Sequence, residues 1–316
     1  MTDWLLIAGG LILLFFGGEF LVKGSGALAL RLGMSPLVAG LTVVAFGTSS
    51  PELVVSLQAA LKGEGAITVG NVVGSNIFNI GFIIALTALI VPLKVQLQIL
   101  RFDAPWMVVV SVLTAFLLMD GGFSRVEGMG LALGLLVYVV ATVRLARASA
   151  PSAEVAAEFE ESVPKPSGSV LRDLALIAAG LALLVLGSRL LVSGALTIAR
   201  GMGVSEAVIG LTIVAAGTSL PELAASLVAA LKKEPDIALG NIIGSNIFNI
   251  LGILGVAALA RPLAAPGIAA LDLYVMIGFA AALALAIFTA RRLDRWEGGV
   301  LLLGYVGYVW YLWPKG

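Results

Sequence analysis

Gly47-Thr48-Ser49-Ser50-Pro51-Glu52 lies in the middle of an apolar run from Pro36 to Leu61, where a carboxylate is out of place. The pattern returns as Gly217-Thr218-Ser219-Leu220-Pro221-Glu222, each position 170 residues further on. Pro51 has no N–H and its ring crowds the carbonyl of Gly47, so a helix here breaks between Phe46 and Ser50. Freed carbonyls are tolerated at membrane depth only against protein or a wet cavity. A charged residue at the centre of a spanning helix costs about 2.5–3.5 kcal/mol on insertion scales. Two such glutamates, each after a helix-breaking proline, point to an ion site near the midplane of a membrane transporter.

The composition agrees. Of 316 residues, 60% are hydrophobic and 12% charged, against about 25% charged in soluble domains. The chain has no cysteine and no histidine. That removes disulfides, thiolate metal sites and the commonest transition-metal ligand, and leaves oxygen donors suited to hard cations. The net charge of +0 and the lack of a basic tract argue against nucleic-acid binding. No cofactor is implied. An intramembrane enzyme is disfavoured, because nothing resembles a nucleophile with its base.

Ten apolar segments of spanning length are expected, at 4–22, 36–61, 67–91, 104–119, 127–145, 173–192, 206–231, 237–260, 270–288 and 297–313. The first resembles a signal peptide only superficially. Thr2 and Asp3 precede it instead of a basic region, and its counterpart lies mid-chain. The predicted fold is all-α integral membrane: a five-helix repeat over 1–145, a polar linker over 146–169, and a second five-helix repeat over 170–316. About two-thirds of positions 40–81 are identical to their partners at the offset of 170. An odd number of spans per half makes the second copy enter from the opposite side, an inverted repeat.

Lys/Arg asymmetry sets the expected orientation. One face collects Lys23, Arg31, Lys94, Arg101, Arg144, Arg147, Lys165, Arg172, Lys232, Lys233, Arg291, Arg292 and Arg295. The other has Lys62, Arg125, Arg189, Arg200, Arg261 and Lys315. The richer face is expected to be cytoplasmic, with both termini outside and the linker inside a multi-pass plasma-membrane protein. Trp4, Trp106, Trp296, Trp310 and Trp313 lie near span ends, as interfacial anchors do.

Glu52 shares a helix face with Ser49 and Ser56, and Glu222 with Ser219 and Ser226. The third span carries an Asn71/Ser75/Asn79 stripe, repeated as Asn241/Ser245/Asn249. Gly70, Gly74, Gly240 and Gly244 beside these stripes allow close helix approach. Two carboxylates without a basic partner match one divalent cation, and calcium's flexible shell of 6–8 oxygens suits carboxylates plus unwound carbonyls. Glu19 and Arg189 read as snorkelling or paired at the interface. Glu127 and Glu297 read as acids at helix starts, and Asp103 and Asp272 as caps.

The paired GTSxPE and GNxxGSNxFN segments resemble the two alpha-repeats of the cation/calcium antiporter superfamily, in its prokaryotic sodium/calcium exchanger branch. The likeness extends over essentially the whole chain. It implies sodium/calcium antiport by alternating access, with calcium and sodium ions and the bilayer as partners, no cofactor, and a monomer. It implies that Glu52 and Glu222, with the carbonyls of Thr48 and Thr218, hold calcium. It implies sodium sites at Ser49, Ser75, Ser219, Ser245 and the carbonyls of Ala45 and Ala215, shared with Glu52 and Glu222. Asn79 and Asn249 would line the centre. Some relatives carry aspartate where Asn249 stands, which weighs against potassium co-transport here. A calcium/proton antiporter on the same fold and, in another class, a cation channel are the alternative readings.

Overall fold

The computed structural model describes residues 2–148, 169–201, 215–266 and 268–312. The predicted linker falls almost wholly outside them, as do most of the N-terminal half of the seventh segment and Trp313. Twelve helices follow in order among the described residues: α1 Thr2–Arg31, α2 Pro36–Thr48, α3 Ser50–Lys62, α4 Gly65–Ile90, α5 Ile99–Asp120, α6 Arg125–Ala148, α7 Val170–Gly201, α8 Ala215–Thr218, α9 Leu220–Leu231, α10 Pro235–Ala260, α11 Ala270–Ala290 and α12 Arg295–Leu312.

Seven described helices are long and apolar enough to cross a bilayer, and α2 with α3 forms an eighth span bent by 46°. The bend falls at Ser49 (φ −82°, ψ 4°), with Pro51 in the first turn of α3. This narrows the expected break to one residue. The chain is an all-α membrane protein.

Burial sorts the helices into a centre and a rim. The spanning windows of α10 and α4 are 89% and 72% buried, while those of the other five lie between 22% and 39%. The Leu, Val and Phe side chains of the rim are exposed, as is expected of side chains that face hydrocarbon as apolar as themselves. Trp4, Trp296 and Trp310 are exposed at helix ends, as interfacial anchors are. Trp106 corrects that expectation: it stacks within a Phe102/Trp106/Tyr138 group, its ring 6.2 Å from Phe102 and 6.5 Å from Tyr138.

Two short antiparallel bridges were not foreseen. Leu93–Lys94 (β1) pairs with Arg292–Leu293 (β4), and Gly122–Phe123 (β2) with Leu263–Ala264 (β3). Each joins the first half of the sequence to the second. The helices cross over in the same way. A Cβ on Gly128 of α6 would meet Gly255 O of α10 at 2.9 Å, and one on Gly298 of α12 would meet Ala85 O of α4 at 2.6 Å.

α1 and α7 pack against each other along a glycine seam, Gly10, Gly17 and Gly24 facing Gly187, Gly180 and the Asp173 backbone. A Cβ on Gly17 would lie 2.8 Å from Leu184 N, and one on Gly180 2.6 Å from Leu21 N. Backbone-to-backbone contact at that distance has no room for a side chain. Gly17→Val or Gly180→Val should therefore cost about 1–3 kcal/mol through overpacking, read as a lowered melting temperature in detergent. Gly9→Ala, whose added methyl has open space, should leave it unchanged.

Candidate functional site

Glu52 and Glu222 are both buried, at 1% exposure each, and close enough for their charges to act on each other. No lysine or arginine pairs with either among the described residues. Each is held by the other half of the chain. Ser49 Oγ donates to Glu222 Oε1 at 2.8 Å, and Ser219 Oγ donates to Glu52 Oε1 at 3.2 Å. Ser219 also lies 3.4 Å from Ser75 Oγ. Thr218 sits beside Glu52 and Thr48 beside Glu222. The helix break explains this reach: the turn at Ser49 aims one serine across the interface, and Ser219 (φ −92°, ψ 9°) repeats the geometry.

The asparagine stripes serve two ends. Asn71 Nδ2 donates to Ser56 Oγ and Asn241 Nδ2 to Ser226 Oγ, each at 2.9 Å. These bonds lock the third-segment helix of each half against its glutamate helix. Thr48 Oγ1 donates to Asn241 Oδ1 at 3.1 Å. At the centre, Asn79 Nδ2 donates to Asn246 Oδ1 and Asn249 Nδ2 donates to Asn76 Oδ1, both at 3.0 Å. Asn76 and Asn246 further bond each other's backbone carbonyls at 3.2 and 3.5 Å. Neither Asn76 nor Asn246 is among the residues expected at the site from sequence. They stand in the repeated GSN triplet, one position beyond the Ser75 and Ser245 stripe, and that repetition was the signal.

At the last asparagine of this quartet on each helix the backbone widens into a π-type turn, Asn79–Ile84 in α4 and Asn249–Leu254 in α10. Such turns recur at functional sites because they shift the backbone's hydrogen-bonding register. Among the other expected residues, Ser245 Oγ approaches the Ala45 carbonyl at 3.5 Å. Ala215 opens α8, and its carbonyl contacts lie outside the described geometry. Gly240 and Gly244 do take a close helix: a Cβ added to Gly240 would lie 2.9 Å from Leu37 O, and one added to Gly244 2.7 Å from Leu41 O. Gly70 and Gly74 do not: among the described residues a Cβ added to Gly70 would meet only Ile268 Cδ1, at 3.7 Å, and one added to Gly74 would meet nothing within 4 Å.

The donors are used up and the acceptors are not. Of the buried side-chain oxygens that lack a hydrogen-bond partner among the described residues, four lie at this site, Glu52 Oε2, Glu222 Oε2, Asn79 Oδ1 and Asn249 Oδ1, while Ser25 Oγ and Asp103 Oδ2 lie elsewhere. All four are acceptors, two charged and two neutral, contributed equally by the two halves. Leaving such groups unmet in a buried site is costly, and a hard cation is the partner that a set made only of oxygen acceptors fits.

The proline-freed carbonyl is treated differently in the two halves. In the second, Ser188 Oγ of α7 donates to Gly217 O at 2.5 Å. The equivalent position in α1 is Gly18, which has no hydroxyl. Away from the site, Asp272 caps α11, accepting from Ala269 N at 3.2 Å and from Tyr308 at 2.8 Å. Glu127 and Glu297 likewise accept from backbone N–H groups at their helix starts. Asp103 does not cap. It is fully buried and accepts from the Tyr138 hydroxyl at 2.9 Å. A π-type turn over Ile99–Asp103 turns it inward, away from the helix end.

The family model described as sodium/calcium exchanger protein matches residues 2–144 and 173–313. The chain is 42% identical over 312 residues to the putative antiporter CaxA of Alkalimonas amylolytica, covering 97% of each. It is 33% identical to the sodium/calcium exchanger MaX1 of Methanosarcina acetivorans, covering 98% of this chain and 97% of that one. The solved sodium-calcium exchanger NCX_Mj, soaked with zero Na+ and Ca2+, superposes with a TM-score of 0.84 at 32% identity, over 98% of this chain and 99% of that one. With the whole chain matched in sequence and in fold, this protein belongs to the sodium/calcium exchanger family.

Proposed function

We infer that this protein is a sodium/calcium antiporter, a carrier and not an enzyme, that moves the two ions by alternating access. The observation that carries the reading is the set of four unpartnered buried acceptors from Glu52, Glu222, Asn79 and Asn249. In this reading Glu52 and Glu222, with the carbonyls of Thr48 and Thr218, hold calcium. Ser49, Ser75, Ser219, Ser245 and the carbonyls of Ala45 and Ala215 take sodium around the same carboxylates, and Asn79 and Asn249 line the centre.

Coupling follows from shared ligands. Both ions need the two glutamates, so one set excludes the other. A site with bare carboxylates resists closure, because closing buries uncompensated charge. The glycine seam supports α1 and α7 as a smooth-sided pair that shifts against the ion-holding helices. The architecture that fits is ten spans in two inverted five-helix repeats, 1–145 and 170–316, joined by a cytoplasmic linker over 146–169. Both termini then face outward. The carrier works as a monomer in the lipid bilayer.

The test is calcium-45 uptake into proteoliposomes driven by an outward sodium gradient. Uptake should need the gradient and persist with a protonophore present. Uptake driven by a proton gradient alone would replace this reading with calcium/proton exchange, and currents far above carrier turnover would replace it with a channel.

A further inference from the structure

Glu19, past the middle of α1, forms an ion pair with Lys232 at the end of α9, Nζ to Oε1 2.6 Å. α9 is the helix that carries Glu222. α1 is pressed close to it here: a Cβ on Gly18 would meet Val228 Cγ2 at 3.0 Å and Ala224 O at 3.1 Å. α1 is in turn fastened to α7 by the seam and by an Arg31–Asp173 ion pair of 2.5 Å. Lys232 therefore ties the α1/α7 pair to an ion-holding helix.

The offset of 170 relates Glu19 to Arg189 on α7, and Lys232 to Lys62 at the end of α3. There both members are cations. Arg189 has no ion pair among the described residues, and the helices stand apart. A cavity of about 380 Å³ opens between α7 and the α2/α3 break, lined by Ser50, Leu181, Ala182, Val185 and Arg189. The outer face of α3 is correspondingly bare. Val54 and Gln58 are exposed, whereas their counterparts on α9 are Ala224, half-buried, and Val228, buried under α1.

We propose that Glu19 and Lys232 form a charge latch holding one side of the carrier shut, and that Arg189 and Lys62 are its like-charged counterpart, which cannot latch. The inference rests on the alternating-access reading. Moving α1 and α7 to close the cavity brings Arg189 toward Lys62, two cations facing each other. The same motion parts Glu19 from Lys232. Both effects act in one direction, so the cycle rests in the state open on the Arg189 side. The Lys/Arg pattern makes that side the outer one, and the latch the inner gate.

The chain contains no cysteine, so a single introduced thiol reports without background. Ala182→Cys lines the outer cavity, and Val228→Cys, one turn before Lys232 on α9, lies buried under α1 on the latched side. Each is reacted with a membrane-impermeant maleimide added to one face of reconstituted vesicles. Ala182→Cys should label readily from outside and Val228→Cys slowly from inside. A part-exposed ion pair shifts a two-state ratio by about two- to fivefold. Glu19→Gln, Lys232→Gln and Arg189→Glu should each raise the inside labelling rate of Val228→Cys by that factor. The charge swap Glu19→Lys with Lys232→Glu should return it to the original rate, which a merely damaged fold would not do. Unchanged labelling in Glu19→Gln and Lys232→Gln, or a swap that fails to restore the rate, overturns the latch. Labelling that shifts as expected in protein inactive for sodium-driven calcium uptake would leave the latch standing and sink the transport reading. Normal uptake with unshifted labelling would do the reverse.

Discussion

Glu52→Gln and Glu222→Gln should each abolish sodium-driven calcium uptake while the protein remains folded. The two substitutions keep side-chain volume and one acceptor oxygen, so packing is preserved. What changes is charge: two carboxylates match a divalent ion, and one does not. Removing one partner of a buried charge pair costs about 3–5 kcal/mol. At 1.4 kcal/mol per tenfold, that is a loss of roughly a hundred- to several-thousandfold in calcium affinity. The amide also brings an N–H into a site whose acceptors, Glu52 Oε2, Glu222 Oε2, Asn79 Oδ1 and Asn249 Oδ1, await a cation. The measurement is calcium-45 flux, with size-exclusion profile and melting temperature as controls. Each glutamate accepts a serine hydroxyl from the other half, so the two variants should fail alike. Retention of uptake after both glutamates are neutralised would end the proposal.

Asn246→Leu should lower both stability and exchange. Leucine has the same branched skeleton with bulkier ends, so no cavity opens and the methyls add some overpacking. The Asn79 amide N–H, bonded to Asn246 Oδ1 at 3.0 Å, would instead be left buried without an acceptor, at about 1–3 kcal/mol. Asn79 would be free to rotate, and its Oδ1 would lose its aim. Thermal unfolding in detergent should show a drop of several degrees, with flux falling about tenfold or more if the loss of orientation alone costs 1.4 kcal/mol. Asn76→Leu should do the same to Asn249, whose Nδ2 bonds Asn76 Oδ1 at 3.0 Å. A stable, fully active Asn246→Leu would show the quartet to be incidental.

Legibility in the sequence followed cost. Glu52 and Glu222 were readable because nothing cheap explains an acid beside a proline in a membrane span, and because the whole hexapeptide occurs twice. The break at Ser49 followed from the missing N–H of Pro51. Asn76 and Asn246 were not readable as centrepieces, since an amide in a helix serves equally as interhelical glue, ligand or bystander. Only the crossed pairing of the halves separates these roles. Asp103 was misread for a related reason. An acid at a predicted helix start is ordinarily a cap, and only the π-type turn before Ala104 carries it into the interior beside Tyr138. The pairing of Glu19 with Lys232 depends on how α1 lies across α9, which no local pattern encodes.

The crossed packing of α6 on α10 and α12 on α4, with its two strand bridges, bears on how the chain is made. When the first half leaves the ribosome, its most buried helix, α4, still lacks both the opposing asparagines and the covering helix that only the second half can bring. It must wait in the bilayer with idle amides until roughly as much protein again has been synthesised. The centre of the carrier is therefore completed only by the second half.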